Sequence, residues 1–198
     1  FNRGKSSEKF IFGNSLKAQE FKDYVKKISS LNKPVLISGE SGTGKTSLAH
    51  YLHNQSVANE DTAIATVSCA SLTKEVLEPL MINDIRSIKS SDSETIQSIQ
   101  TVFNSGGTLV LDEIADLSID VQPKMLHFLD KKVFREGSTS TKAKPVRVIA
   151  TTHQPISELC SENKFRRDLY YRLKVFDVQI SAIRNRLYDI DYIVQEIV

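Results

Sequence analysis

Gly39-Glu40-Ser41-Gly42-Thr43-Gly44-Lys45-Thr46 constrains the fold of this chain more than any other stretch. It reads G-x-x-x-x-G-K-T, follows the apolar run Val35-Leu36-Ile37, and leads into a helix-like Ser47 to His53. That is the strand, loop and helix context a phosphate-binding loop requires. Its glycines let the backbone curl so that N–H groups converge on phosphate oxygens, and the helix behind adds the positive end of its dipole. In such a loop Lys45 sits on the β- and γ-phosphates and Thr46 holds Mg²⁺, so residues 39–46 are read as a nucleotide site.

A second piece belongs with the first. Thr108-Leu109-Val110-Leu111-Asp112-Glu113 is a buried-strand run ending in two carboxylates, about 65 residues after the loop. A strand beside the loop strand would bring Asp112 near Mg²⁺ and Glu113 to where it polarises an attacking water.

The rest of the chain alternates helix and strand signals. Leu16, Phe21, Val25 and Ile28 fall at helical spacing behind a cap at Asn14 or Ser15, with Lys22, Lys26 and Lys27 on the other side. Ala63 to Val67 reads as a strand and Leu72 to Leu80 as a helix. Glu94 to Phe103 is a helix stopped by Asn104-Ser105-Gly106-Gly107. Val121 to Lys132 is an amphipathic helix with Pro123 in its first turn. Val133 to Arg135 and Pro145 to Ala150 read as strands around a polar loop at 137–144. Thr151-Thr152-His153 then follows the second strand at its carboxyl end, where open α/β sheets place ligand contacts. Ile156 to Glu162 and Phe165 to Leu173 are helices, and Val175 to Ile180 is a strand. This alternation implies a parallel α/β sheet.

Composition fits one domain: 198 residues, 40% hydrophobic, 25% charged, net charge +2. That balance demands neither a nucleic-acid nor a membrane surface, and no apolar run approaches a membrane span. Cys69 and Cys160 stand far apart without neighbouring metal ligands, a pattern that suits a reducing cytoplasm rather than a disulfide or zinc frame. The polar start, with no initiator Met, is read as the start of a fragment of a longer protein, with residues 1–9 a flexible lead-in.

Several segments resemble the central AAA+ domain of bacterial enhancer-binding proteins, the activators that remodel sigma-54 RNA polymerase. They are Gly39 to Lys45, Leu52-His53-Asn54-Gln55-Ser56, Ser105 to Ile114, Val146 to Thr152, Phe165 to Leu173, and Arg184-Asn185-Arg186 with Asp189-Ile190. The resemblance implies a P-loop NTPase of the AAA+ type: an α/β core over 10–183, a parallel sheet sandwiched by helices, and a C-terminal helical lid of which only 184–198 are expected here. It implies ATP and Mg²⁺ as cofactors and hydrolysis to ADP in a ring of identical subunits, expected to be a hexamer. DNA would be met through a domain absent from this chain. Arg166 and Arg172 match the family's paired arginines that reach into the neighbouring subunit's ATP, where a guanidinium stabilises charge on the transferring phosphoryl group.

The chain also departs from that pattern. Ser87-Ile88-Lys89-Ser90-Ser91-Asp92 stands where the family carries G-A-F-T-G-A, and it has no glycine and no aromatic, so the usual contact with sigma-54 polymerase is not expected. Ser68 replaces the family's Asn that bonds the catalytic Glu, which implies altered coupling. His153 replaces a sensor Asn and can donate to a γ-phosphate or orient a water. Ser181-Ala182 replaces Pro-Pro at the hinge into the lid. Two functions remain open: a ring ATPase of a transcriptional regulator, or a module in which a nucleotide or cyclic dinucleotide sets assembly with little turnover.

Overall fold

The computed structural model describes residues 10–56, 62–74, 93–132 and 146–197. The lead-in at 1–9, most of the expected 72–80 helix, the 87–92 segment, the 133–135 strand and the 137–144 loop lie outside the described residues.

The elements run α1 (Leu16–Ser29), β1 (Val35–Gly39), α2 (Lys45–Asn54), β2 (Ala63–Ser68), α3 (Ser93–Ser105), β3 (Gly107–Asp112), α4 (Gln122–Lys132), β4 (Val146–Thr152), α5 (Ile156–Ser161), α6 (Arg167–Leu173), β5 (Phe176–Ile180) and α7 (Ile190–Ile197). Among the described residues a 3₁₀ turn follows β2 and another follows β3, and two, Ile183–Asn185 and Leu187–Asp189, follow β5. Ser15 is the cap of α1, its Oγ accepting from Ala18 N at 3.2 Å, and Lys26 and Lys27 in the last turn complement the dipole.

The five strands are parallel in the order β2-β3-β4-β1-β5. Consecutive parallel strands need crossovers, and the helices supply them on both faces, which explains the near-continuous apolar runs. One face carries Leu36, Leu109, Leu111, Val148 and Ala150 against α3, α4, α5 and α6 through residues such as Ile99, Met125, Phe128 and Leu169. The other carries Val35, Ile37, Val110 and Ile149 against Val25, Ile28, Leu48 and Leu52 of α1 and α2. Each Val, Leu, Ile, Met or Phe among them contributes about 1.5–3 kcal/mol by leaving water. Phe10 and Phe12 extend the second core, packed edge-on at 4.7 Å.

Three boundaries differ from the sequence reading in ways that matter to the site. β4 runs through Thr152, so Thr151 and Thr152 belong to the strand. Glu113 has left β3 and sits in a left-handed conformation, φ 52°. Phe165 and Arg166 precede α6 instead of lying on it, Phe165 being buried in the core and Arg166 the residue before the first turn.

Two buried polar ties fix the layers. Arg147, near the start of β4, donates from Nη1 to Ser29 O at 3.0 Å and Leu52 O at 3.4 Å, and from Nη2 to Ile28 O at 3.0 Å. It thereby caps the carboxyl ends of α1 and α2 together. His53 Nδ1 lies 2.8 Å from Thr108 Oγ1, joining α2 to β3. Among the described residues no helix is long and apolar enough to cross a membrane.

Candidate functional site

The carboxyl ends of β1, β3 and β4 meet at one edge of the sheet, and the chain's chemistry is gathered there. After β1 the loop turns on Thr43, whose N and Oγ1 donate to Glu40 O at 3.3 and 2.8 Å. Gly44 caps α2 in the left-handed region, φ 89°, with Phe10 behind it: a Cβ there would lie 3.2 Å from the ring. The first N–H groups of α2 have no acceptor within the helix, and a helix start of this kind favours an anion.

Lys45, the first residue of α2, is buried, and its Nζ lies 3.1 Å from Glu113 Oε1 and 3.3 Å from Glu40 O. Thr46 Oγ1 donates to Asp112 Oδ1 at 3.2 Å. The same Oδ1 accepts from Thr151 Oγ1 at 2.7 Å, and Thr151 Oγ1 in turn accepts from Glu113 N at 3.1 Å. Glu113 Oε2 takes two bonds from His153, from the backbone N at 2.9 Å and from Nδ1 at 2.7 Å. Burial pushes the Glu113 carboxyl up, but the bonds from His153 and Lys45 outweigh it and hold the group below its ordinary value. Glu113 is therefore ionised at neutral pH.

The structure brings Lys45, Thr46, Asp112, Glu113 and His153 together, with His153 on the Glu113 carboxylate where the sequence reading had it donate to a γ-phosphate or orient a water. His153 acts on Glu113. Ser68 pairs in register with Asp112 at the end of β2, yet it is not among the partners of the Glu113 carboxylate.

Arg166 and Arg172 sit with other partners. Gln122, fully buried at the start of α4, accepts Arg166 N on its Oε1 at 2.8 Å and donates from Nε2 to Leu117 O and Lys164 O. That fixes the backbone of Arg166, while its guanidinium forks onto Asp168 at 3.0 and 2.6 Å. Arg172 Nη2 lies 2.9 Å from Asp130 Oδ1 of α4. Glu40 of the loop is held from the far side by Arg184, whose Nη1 donates to Oε2 at 2.8 Å and whose Nη2 donates to Oε1.

Sequence reasoning missed Thr151, Gln122 and the Glu40–Arg184 pair as working parts. A Thr at a strand end and a Gln before a Pro carry no motif. Glu40 was singled out within the loop, Thr151 by its place at a strand's carboxyl end and Arg184 within a family-like segment, each without the partner it has here.

Comparison with known proteins gives the family. The Sigma-54 interaction domain family matches residues 11–179. Among curated relatives, the HTH-type transcriptional regulatory protein TyrR of Haemophilus influenzae is 36% identical over 98% of this chain and 59% of its own length. The nitrogen fixation protein AnfA of Azotobacter vinelandii is 35% identical over 91% and 34%, respectively. The DNA-binding transcriptional regulator NtrC of Escherichia coli is 35% identical over 91% and 38%. The chain therefore spans from about a third to three fifths of the length of these relatives. Among solved structures, NtrX from Brucella abortus in complex with ATP superposes with a TM-score of 0.72 at 30% identity, covering 96% of this chain and 42% of that one. NtrX with ADP gives 0.70 at 30%, covering 96% and 41%. The strand that ends in Asp112 and Glu113 is not beside the loop strand, as the sequence reading expected, because β4 stands between β3 and β1. Both carboxylates still reach Thr46 and Lys45 at the start of α2, and with the matches above the chain belongs to the Sigma-54 interaction domain family and has the AAA+ P-loop NTPase fold.

Proposed function

We propose that this domain binds ATP with Mg²⁺ and hydrolyses it to ADP and phosphate inside a ring of like subunits, as the motor of a bacterial transcriptional regulator. The observation that carries the proposal is the meeting of Lys45, Thr46, Asp112 and Glu113 at the amino end of α2.

The N–H groups of α2 and the Lys45 ammonium bind the β- and γ-phosphates. Thr46 Oγ1 and Asp112 Oδ1, 3.2 Å apart, are hard oxygen donors of the kind Mg²⁺ takes, and few protein ligands suit an ion that keeps waters and phosphate oxygens. Among the described residues no group of three or more His, Cys, Asp and Glu offers a rival metal site. When bound, the ion supplies charge neutralisation on the phosphates. Glu113 orients the attacking water and accepts its proton. The water oxygen bonds the γ-phosphorus, the bond to the β–γ bridging oxygen breaks, its electron pair leaves with ADP, and the proton passes on to phosphate. His153, holding Oε2, sets the direction of the carboxylate. Arg166 and Arg172 serve the neighbouring subunit's nucleotide, so Asp168 and Asp130 must let them go on assembly. The Ser87–Asp92 segment argues for a target other than the usual sigma-54 contact.

Steady-state ATP hydrolysis over a protein dilution series, with Lys45→Ala as the blank, tests this. Turnover per subunit that climbs with concentration is expected. Flat turnover at the blank's level, with ATP still bound, would leave the second reading, a scaffold whose assembly answers to a nucleotide or cyclic dinucleotide. The tethering of both arginines by acids of their own subunit is the observation on that side.

A further inference from the structure

We infer that Thr151 is a positioning residue for both carboxylates of the site, an inference that rests on the ATP-hydrolysing reading. Thr151 is completely buried at the penultimate position of β4, on the same face as Arg147 and Ile149. A hydroxyl has one proton and two acceptor lone pairs. Glu113 N can only donate, so Thr151 Oγ1 accepts from it at 3.1 Å, and its own proton is committed to Asp112 Oδ1 at 2.7 Å. One atom therefore ties the metal-side carboxylate to the backbone of the water-orienting residue.

Glu113 needs such a tie. It holds φ 52° and ψ 61°, a conformation that costs a residue with a Cβ about 1–2 kcal/mol and persists only where neighbours over-determine it. Its N–H is fixed by Thr151, and its carbonyl accepts from Asp116 N at 3.0 Å. The turn aims the side chain out of the strand line toward Lys45 and His153. On the other side Thr151 shares Asp112 Oδ1 with Thr46, so the rotamer of that carboxylate is fixed by hydroxyls from two elements, α2 and β4. A side chain with no hydroxyl at position 151 would leave the part-buried Glu113 N–H without this acceptor and Asp112 Oδ1 held by Thr46 alone of the two hydroxyls.

The test compares Thr151→Val, which keeps the shape and loses the hydroxyl, with Thr151→Ser, which keeps the hydroxyl, in the full chain. Two quantities are read: kcat and KM for ATP, and the Mg²⁺ concentration that half-saturates binding of N-methylanthraniloyl-ADP, alongside its affinity in EDTA. Expected for Thr151→Val is a fall in kcat of about tenfold or more with KM within about threefold, and a half-saturating Mg²⁺ concentration raised by about tenfold, the metal-free affinity being unchanged. Thr151→Ser should restore both. Val matching the wild type in both quantities overturns the inference. Val and Ser failing equally also overturns it, since loss of packing would then be the cause. A wild type that binds Mg²⁺ and nucleotide without turnover sinks the hydrolysis reading alone, and Thr151 is then judged on the Mg²⁺ half-saturation. A wild type that binds no nucleotide sinks both.

Discussion

Asp189 fills the space that a side chain at position 13 would need: a Cβ on Gly13 would lie 2.4 Å from Asp189 Cγ. Asp189 is buried, and its Oδ1 accepts from Asn14 N at 3.0 Å and Ser15 N at 2.8 Å, while Oδ2 accepts from Ser15 Oγ at 3.0 Å. The carboxylate thus sits at the start of α1, where N–H groups are unpaired and the dipole favours an anion. Gly13→Ala meets both this contact and φ 107°, and should destabilise the domain by about 3 kcal/mol or more in urea unfolding. Asp189→Ala should cost about 2–3 kcal/mol. Either variant unfolding at the wild-type midpoint would show that the tie carries no weight.

Glu113→Gln keeps the size of the side chain and removes its charge. Nucleotide binding should survive, and turnover should fall about a hundredfold or more. The folded carboxyl titrates below its ordinary value of 4.5, so the stability this charge contributes is fully present above that value and is lost as pH falls through the lower, folded value. The gap in unfolding free energy between wild type and Glu113→Gln should therefore narrow below pH 4.5. A gap that stays constant down to pH 3.5 would contradict the His153 and Lys45 contacts.

The Glu40–Arg184 pair is exposed on both sides, so its removal should change the melting temperature little, by about 2 °C at most. Its signature is in titration. The bonds from Arg184 hold the Glu40 carboxyl below the usual glutamate range, against slight desolvation. Carbon-13 NMR of the Glu40 carboxyl should show its midpoint rise toward the ordinary value in Arg184→Ala. In about 1 M salt the wild type should move part of the same way. No difference between the two proteins at low salt would mean the pair does not form in solution.

Arg147 is a buried cation whose partners among the described residues are carbonyls, and burial pushes its guanidinium down to about 10, still charged at neutral pH. Arg147→Met should destabilise by about 2–4 kcal/mol, because the ends of α1 and α2 lose their shared donor. Arg147→Lys should recover less than half, since an ammonium lacks the planar fork that spans two helices. Urea midpoints decide between these outcomes.

What was legible in the sequence was local. The glycines, Lys45 and Thr46 stand in one loop, and Asp112 and Glu113 end one apolar run, so spacing alone places them; strand and helix alternation gave the sheet. What stayed hidden depends on partners far along the chain. Ser15 and Asp189 are 174 positions apart, and Arg147 meets Ile28 119 positions away. Thr151 read as the residue after a strand because a buried strand with two threonines at its end looks like a turn. His153 was expected to face phosphate or water, and its bond to Glu113 Oε2 arises from the path the chain takes on leaving β4 beside the turn at Glu113.

The burial of all seven residues of β4 gives Arg147 and Thr151 a joint role. They lie on one face, about 13 Å apart along the strand, one answering to the helix ends and the other to the carboxylates. Sliding the strand by a single residue would turn both away together, leaving a guanidinium in the opposite apolar layer and Glu113 N without its acceptor. Hydrophobic side chains alone would tolerate that slip, since β4 offers apolar groups to both layers. The two polar residues therefore proofread the alignment of the central strand, and a misaligned sheet is penalised at both ends before any nucleotide arrives.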